Sequence, residues 1–227
     1  MKPALRIDVL SLFPKTLEGF VSESILAKAI DSGLIEVNSF DLRRWAKGKH
    51  RETDDRPFGG GAGMVMKPEP FFAAVNEIAN DDTTIIYMAP DGEKLNTSIC
   101  QELSFKKHIL LISGHYEGVD QRVRDYLVNR EISVGDYVLT NGTLSSSILI
   151  DAVCRHVPGV LGDKDSLNDE TFEEGLLGIP QYTRPSEFNG LKVPEVLLSG
   201  NHAEISAWRR SKRVEKTRKL RPDLLKN

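Results

Sequence analysis

His108-Ile109-Leu110-Leu111-Ile112-Ser113 runs without a break into Gly114-His115-Tyr116-Glu117-Gly118. A short apolar run bounded by turn residues suits a strand buried on both faces, and such strands belong to parallel sheets covered by helices. Working outward, Thr83 to Ala89 has the same character, Leu5 to Leu12 reads as a first strand ending at Phe13-Pro14, and Leu34 to Phe40 reads as a second. Ile132 to Val138 is a weaker strand. Helical spacing runs through Leu17, Phe20, Val21, Ile25, Leu26 and Ala29 and closes at Gly33; further helices are expected near 68–79, 96–104 and 120–127. Strands alternating with helices predict an α/β fold built on a parallel sheet.

Beyond this core the pattern changes. Residues 159–174 turn acidic and polar and read as a connector or mobile loop. An extended stretch at Pro180-Gln181-Tyr182-Thr183-Arg184-Pro185 and a cap at Ser199-Gly200-Asn201 lead into a basic helix with Ile205, Trp208 and Val214 on one side. The layout expected is an α/β domain over 1–161, a connector over 162–175 and a small helical domain over 176–227.

Of 227 residues, 40% are hydrophobic and 28% charged, a balance that excludes wholesale disorder. No apolar run is long enough to span a bilayer, and Arg6 and Asp8 interrupt any signal-peptide core. Cys100 and Cys154 form neither a disulfide framework nor a CxxC pair, so a reducing, cytoplasmic setting is the expectation. The net charge of -3 conceals an asymmetry: residues 202–227 hold nine Lys/Arg against three Asp/Glu, and Arg43 to Arg56 holds six Lys/Arg in fourteen residues. Counterion release is local, so clustered positive charge on an acidic body suits an RNA or DNA contact; on charge alone a solvated basic helix fits equally.

No P-loop, nucleophile elbow or zinc-protease motif is present, and the five histidines have no ligand-like spacing, so no metal site is expected. What remains is three strand ends opening into glycine-bearing loops: Ala89-Pro90-Asp91-Gly92, Gly114 to Gly118, and Val134-Gly135-Asp136-Tyr137-Val138-Leu139-Thr140-Asn141-Gly142. Ligands of parallel α/β sheets bind beyond the carboxyl ends of the strands, where glycines let the backbone come close. Ordinary βα turns would read the same way one at a time; three in succession favour a small-molecule pocket. Asp54 to Met64 carries four glycines and a proline in eleven residues, a loop whose backbone can hold phosphate, although a plain surface loop reads the same way.

Together these residues resemble one family, the bacterial tRNA (guanine-N1)-methyltransferases of the knotted SPOUT class. The resemblance is carried by Ser11 to Pro14, Asp54 to Gly63, Gly114 to Gly118, Gly135 to Leu139, Leu149 to Val153, Val157 to Gly162, Gly175 to Leu177, Tyr182 to Pro185, Leu198 to Ile205 and Arg221 to Leu225, in order along nearly the whole chain. It implies a deep trefoil knot late in the α/β domain, a homodimer whose active site is shared between subunits, and a tRNA substrate methylated on the guanosine just 3′ of the anticodon when another guanosine precedes it. The implied S-adenosylmethionine site comprises Ala89, Pro90, Gly92, Gly114, Tyr116, Glu117, Gly118, Val134 to Leu139 (Asp136 included), Asn141 and Gly142. Members are reported to use magnesium.

Guanine N1 is protonated at neutral pH, so a base must accept its proton as the methyl group arrives, and an arginine can steady the charge that builds on O6. The resemblance points to Glu170 as base, with Asp169 in reserve, and to Arg155 as the cation. RNA contacts fall to Arg43, Arg44, Arg56, Gly59, Gly60, Arg184, Arg209, Arg210 and Arg213, with Lys212, Lys216, Arg218 and Lys219 beside them on the basic helix. The chain departs from the family pattern at Glu170 (usually Asp), Asn141 and Thr143 (usually Gly and Glu), His115 (often Arg) and Gly178 (often Asp). A second reading is therefore a degenerate relative that binds tRNA or cofactor without catalysis; a third is a related enzyme acting on another RNA site.

Overall fold

The computed structural model describes residues 3–162, 170–172 and 174–225. The chain divides into two units, residues 1–162 and 163–227, and each is described by itself.

The first unit runs β1 (Leu5–Ser11), α1 (Pro14–Val21), α2 (Ser24–Asp31), β2 (Ile35–Asp41), the two-residue strands β3 (Asp54–Asp55) and β4 (Val65–Met66), α3 (Pro68–Ile78), β5 (Thr83–Lys94), α4 (Thr97–Ser104), β6 (His108–Ser113), α5 (Gln121–Leu127), β7 (Arg130–Ser133) and α6 (Gly142–Cys154). Five strands form one parallel sheet in the order β2-β1-β6-β5-β7. The His108–Ser113 run is its centre: every residue of β6 is buried, between β1 and β5.

Alternation along β6 divides the core in two, because successive strand side chains point to opposite faces. Ile109 and Leu111 join a cluster with Leu17 of α1, Leu26 of α2, Leu103 of α4 and Leu149 and Val153 of α6. Leu110 and Ile112 join Phe71 and Ala74 of α3, Val123 of α5, Leu42 and Tyr87 on the other side. Helices therefore cover both faces, as the apolar strands require.

Four details differ from expectation. The helix read through 17–29 is two, since the chain breaks at Ser22-Glu23 and Ser24 takes a φ of +58°. The strand read at 132–138 ends at Ser133, where the Ser133 hydroxyl donates to the Gly135 carbonyl and turns the chain away. Ala89 to Gly92, read as a loop, stays within β5 as an excursion: Met88 and Glu93 both pair with Ile132. Helix α6 has no apolar stripe to betray it, because Ser145, Ser146 and Ser147 are buried alongside Leu149, Ile150 and Val153. Their hydroxyls are satisfied by the Gly142 carbonyl, by Ser113 and by the Thr143 carbonyl respectively, which lets polar residues sit inside.

The second unit holds a two-stranded hairpin, β8 (Glu187–Phe188) with β9 (Leu191–Lys192), and the nineteen-residue helix α7 (His202–Leu220). Asn201 caps α7, its side-chain oxygen accepting from the Ala203 and Glu204 amides, so the expected cap is realised. Of the connector read at 162–175, residues 163–169 and 173 lie outside the described residues.

Candidate active site

The carboxyl ends of β5, β6 and β7 converge on a pocket of about 330 Å³, within the range of small-molecule sites. Twelve of the fifteen residues expected to hold a cofactor line it: Ala89 and Pro90 from the β5 excursion; Gly114, Tyr116, Glu117 and Gly118 after β6; Val134, Tyr137, Val138, Leu139, Asn141 and Gly142 after β7. The other three do not. Gly92 is crowded against β7, where a Cβ would come within 2.6 Å of the Glu131 carbonyl carbon. Gly135 leaves room for the Tyr137 ring, which an added Cβ would meet at 2.4 Å. Asp136 faces outward in an ion pair with Lys94 at 2.9 Å. Their glycine and acid character serves the loops' shape, not the lining.

Two loops are held together by backbone. The Gly142 amide donates to the Gly114 carbonyl at 2.7 Å, and His115 bridges Asn141 in antiparallel fashion. Gly142 is obligatory here, because a Cβ would lie 2.8 Å from the Gly114 amide nitrogen and 2.9 Å from Ser113 Cα, both immovable backbone. Asn141 accepts from the Thr143 amide and so starts α6 at the pocket wall. His115 Nδ1 donates to the Thr140 carbonyl at 3.0 Å, which assigns the proton to that nitrogen, since a carbonyl only accepts.

Sequence reading missed Tyr87, Met88, Arg124, Ser133 and Ser145, which also line the pocket. Tyr87 and Met88 looked like plain core, and they are buried; their pocket role comes from standing where β5 meets the glycine loops. Burial pushes the Tyr87 phenol above its usual range. Arg124 stands 5.5 Å from the centre of the Tyr87 ring and donates from Nε to Glu131 at 2.8 Å. It also donates to Asp91, and that hydrogen bond holds the Asp91 carboxyl below the usual range. No local motif announces these four residues, which β5, α5 and β7 bring together.

The glycine-rich loop reaches the rim of the same pocket. Pairing of Asp54 with Met66 and of Asp55 with Val65 closes it at the base; the Glu117 amide donates to the Met64 carbonyl and the Met66 amide to the Gly118 carbonyl. Gly59, Gly60, Gly61 and Gly63 all take positive φ, and Phe58 is wholly exposed at the tip. At Gly63 a Cβ would strike the Glu117 side chain at 2.5 Å, so this glycine lets loop and pocket wall meet.

Arg155 follows α6 in the first unit, at its C-cap. Glu170 belongs to the second unit, and Asp169 lies outside the described residues. Among the RNA candidates, Arg56, Gly59, Gly60, Arg184, Arg209 and Arg210 are exposed. Arg43 is half-exposed and tied to Asp41 and the Leu12 carbonyl; Arg44 pairs with Glu77 over the Trp45 ring. Arg184 and Arg209 line a groove of about 380 Å³ in the second unit with Tyr182, Leu197, Leu198 and Ile205. Arg213 is the exception: its side chain is 6% exposed, so it is not presented to solvent as a phosphate contact must be. Among the described residues no three His, Cys, Asp or Glu side chains cluster as metal ligands, and no helix is long and apolar enough to cross a membrane.

Comparison with known proteins identifies the family of this chain. The family profile described as tRNA (Guanine-1)-methyltransferase TrmD matches residues 5–227. A tRNA (guanine-N(1)-)-methyltransferase of Dictyoglomus turgidum is 52% identical over 221 residues, covering 97% of this chain and 90% of the relative. The proteins of that name from Moorella thermoacetica and Protochlamydia amoebophila are 51% identical over 225 residues and 48% identical over 219 residues, covering 97% and 96% of this chain and 90% and 99% of the relatives. With the α/β sheet, the glycine-walled pocket and similarity along its whole length, the chain belongs to the tRNA (guanine-1)-methyltransferase family.

Proposed function

We propose that this chain methylates N1 of guanine in tRNA, at the guanosine immediately 3′ of the anticodon (position 37), using S-adenosylmethionine, and so protects the reading frame. The observation that carries the reading is the pocket at the ends of β5, β6 and β7, where Gly114 leaves room for the Tyr87 ring and Gly142 lets α6 start against the backbone of Ser113 and Gly114. The non-catalytic alternative is not favoured, because the relatives that match over the whole chain bear the name of a transferase.

The pocket residues suit the cofactor. Backbone carbonyls of Gly114 to Gly118 and Val134 to Gly142 can read a purine edge, while Ala89, Pro90, Val134 and Leu139 offer apolar surface. When bound, the cofactor supplies a methyl group on a positively charged sulfur. Glu170 takes the N1 proton, Arg155 steadies the charge on O6, and holding both reactants in one cleft supplies the remaining large contribution. The target guanine leaves its stack to enter, as base-modifying enzymes require. The exposed cations Arg56, Arg184, Arg209 and Arg210 meet phosphates, Gly59 and Gly60 let the loop approach the RNA, and the second unit acts as the tRNA-binding domain.

The segment from Val134 into α6 is proposed as the knotted one, and the active form as a homodimer in the cytoplasm. Leu144 and Ile148, one turn apart on α6, remain 49% and 38% exposed, and a partner subunit would cover them. No described cluster suits a resident metal, so magnesium is proposed only as an ion met with the RNA; EDTA should lower turnover and leave the melting temperature unchanged.

The decisive experiment is methyl transfer from labelled S-adenosylmethionine to two tRNA transcripts, one with guanosine and one with adenosine at position 37, followed by nucleoside analysis. 1-Methylguanosine from the first alone is expected. Glu170→Gln should abolish it while cofactor affinity holds; unchanged turnover would move the base to Asp169.

A further inference from the structure

Arg213 carries charge into a place where charge is costly. It sits in the middle of α7, its side chain 6% exposed, and among the described residues its Nη2 has no hydrogen-bond partner. A helix that needed only packing would place an apolar residue there. What the guanidinium does reach is the chain just after the proposed base: Nη1 donates to Glu174 Oε2 at 2.9 Å, and Nε donates to the Leu177 carbonyl at 3.3 Å.

One turn along the same face, Thr217 Oγ1 accepts the Leu177 amide at 2.9 Å and donates to the Arg213 carbonyl at 2.7 Å. Both backbone groups of Leu177 are thus fastened to α7, one by Arg213 and the other by Thr217. From this anchor two hydrogen bonds run back toward Glu170. The Phe172 amide donates to the Leu176 carbonyl at 2.8 Å, and the Gly178 amide donates to Thr171 Oγ1 at 2.9 Å. The Arg221 guanidinium lies 5.9 Å from the Phe172 ring centre and holds the tip of the loop. Thr171 is the residue after Glu170, so the position of that carboxylate is inherited from α7 through this short relay.

We propose that Arg213 is a positioning residue for the methyl transfer: it fastens the 174–177 stretch to α7 and thereby sets where Glu170 stands. This rests on Glu170 being the base. It replaces the RNA-contact role expected for Arg213 from its place in a basic helix.

The test compares wild type with Arg213→Met, Arg213→Lys and Glu174→Gln in the tRNA methylation assay, with backbone hydrogen exchange measured on the same full-length proteins. Because a base displaced by an ångström costs rate and not binding, Arg213→Met should lower kcat about tenfold with both KM values within about twofold. Arg213→Lys keeps one donor and should recover part of the loss. Glu174→Gln alters an exposed partner, leaves no cavity and should lower kcat in the same direction, so it decides the matter should Arg213→Met not fold. In both the Met and Gln variants the Phe172, Leu177 and Gly178 amides should exchange faster. A raised KM for tRNA with a flatter salt dependence and intact kcat would make Arg213 a phosphate contact and overturn the proposal. So would unchanged kinetics and exchange in both variants. An active wild type that tolerates Glu170→Gln would remove the base and the positioning role together, whereas loss of activity in Glu170→Gln with a tolerant Arg213→Met would overturn the positioning role alone.

Discussion

At the scale of single residues, the most consequential buried charge outside the pocket is Asp8 on β1. It is fully buried and receives hydrogen bonds from His108 Nε2 at 2.9 Å, from Arg6 and from Asn38, while His108 Nδ1 meets the Thr83 hydroxyl at 2.8 Å. Burial alone would push this carboxyl up; the bonds from His108, Arg6 and Asn38 together outweigh it, and the net direction is down from 3.8. A carboxyl depressed in the folded state stabilises the fold above its unfolded value and gives that up as pH falls through the folded one. Asp8→Asn should therefore cost about 3 kcal/mol at pH 7, since it leaves buried donors poorly matched, and the gap to wild type should narrow below about pH 4. Urea melts at pH 7 and pH 3.5 check both statements. The cysteines behave oppositely: burial pushes the Cys100 thiol up to about 11 and the Cys154 thiol up to about 12. Neither should react with Ellman's reagent at pH 8 until the protein unfolds. None of this was legible beforehand, because Asp8 and His108 are a hundred residues apart and meet only through the register of β1 with β6.

Elements were read well where one period dominates. The strands β1, β2 and β6 and the helices α3, α4, α5 and α7 follow their apolar spacing or caps. Helix α6 escaped because its buried residues include three serines while its exposed flank carries Leu144 and Ile148, so polar and apolar positions do not separate into two faces. Its start is the sharpest constraint on the pocket. Gly142→Ala should drive α6 away from the end of β6, weakening cofactor affinity by about tenfold or more while lowering stability by about 1–3 kcal/mol, the usual range for overpacking. Isothermal titration and thermal melts separate the two effects; equal cofactor affinity in the variant would mean the contact is absent. The β5 excursion is the converse case. Ala89-Pro90-Asp91-Gly92 has the composition of a turn, yet pairing on either side with Ile132 keeps it in the sheet.

For the whole molecule, the proposed dimer makes the strongest demand. Replacing both Leu144 and Ile148 with Glu puts charge on the exposed flank of α6 without entering the sheet core. Light scattering should then report a monomer, and methyl transfer should fall with dimer content because the site is proposed to be shared between subunits. A monomer that retained full activity would confine the site to one chain. The two basic regions belong to different units, Arg43 to Arg56 in the first and α7 in the second, and the affinity for tRNA should fall steeply with added salt.

The sequence by itself determined the class of fold and the three glycine loops, because strand burial and close backbone approach leave marks on composition that survive without neighbours. It also carried the order of motifs that marks the family. Only the tertiary structure decided which loop residues face the pocket, that Tyr87 and Arg124 stand beside them, and that Arg213 turns inward to hold the chain beyond Glu170. Those outcomes depend on which strands lie side by side and on where a helix buries one of its many cations. A linear pattern of residue types does not encode such relations, since the same arginine reads alike whether it meets water or a carboxylate.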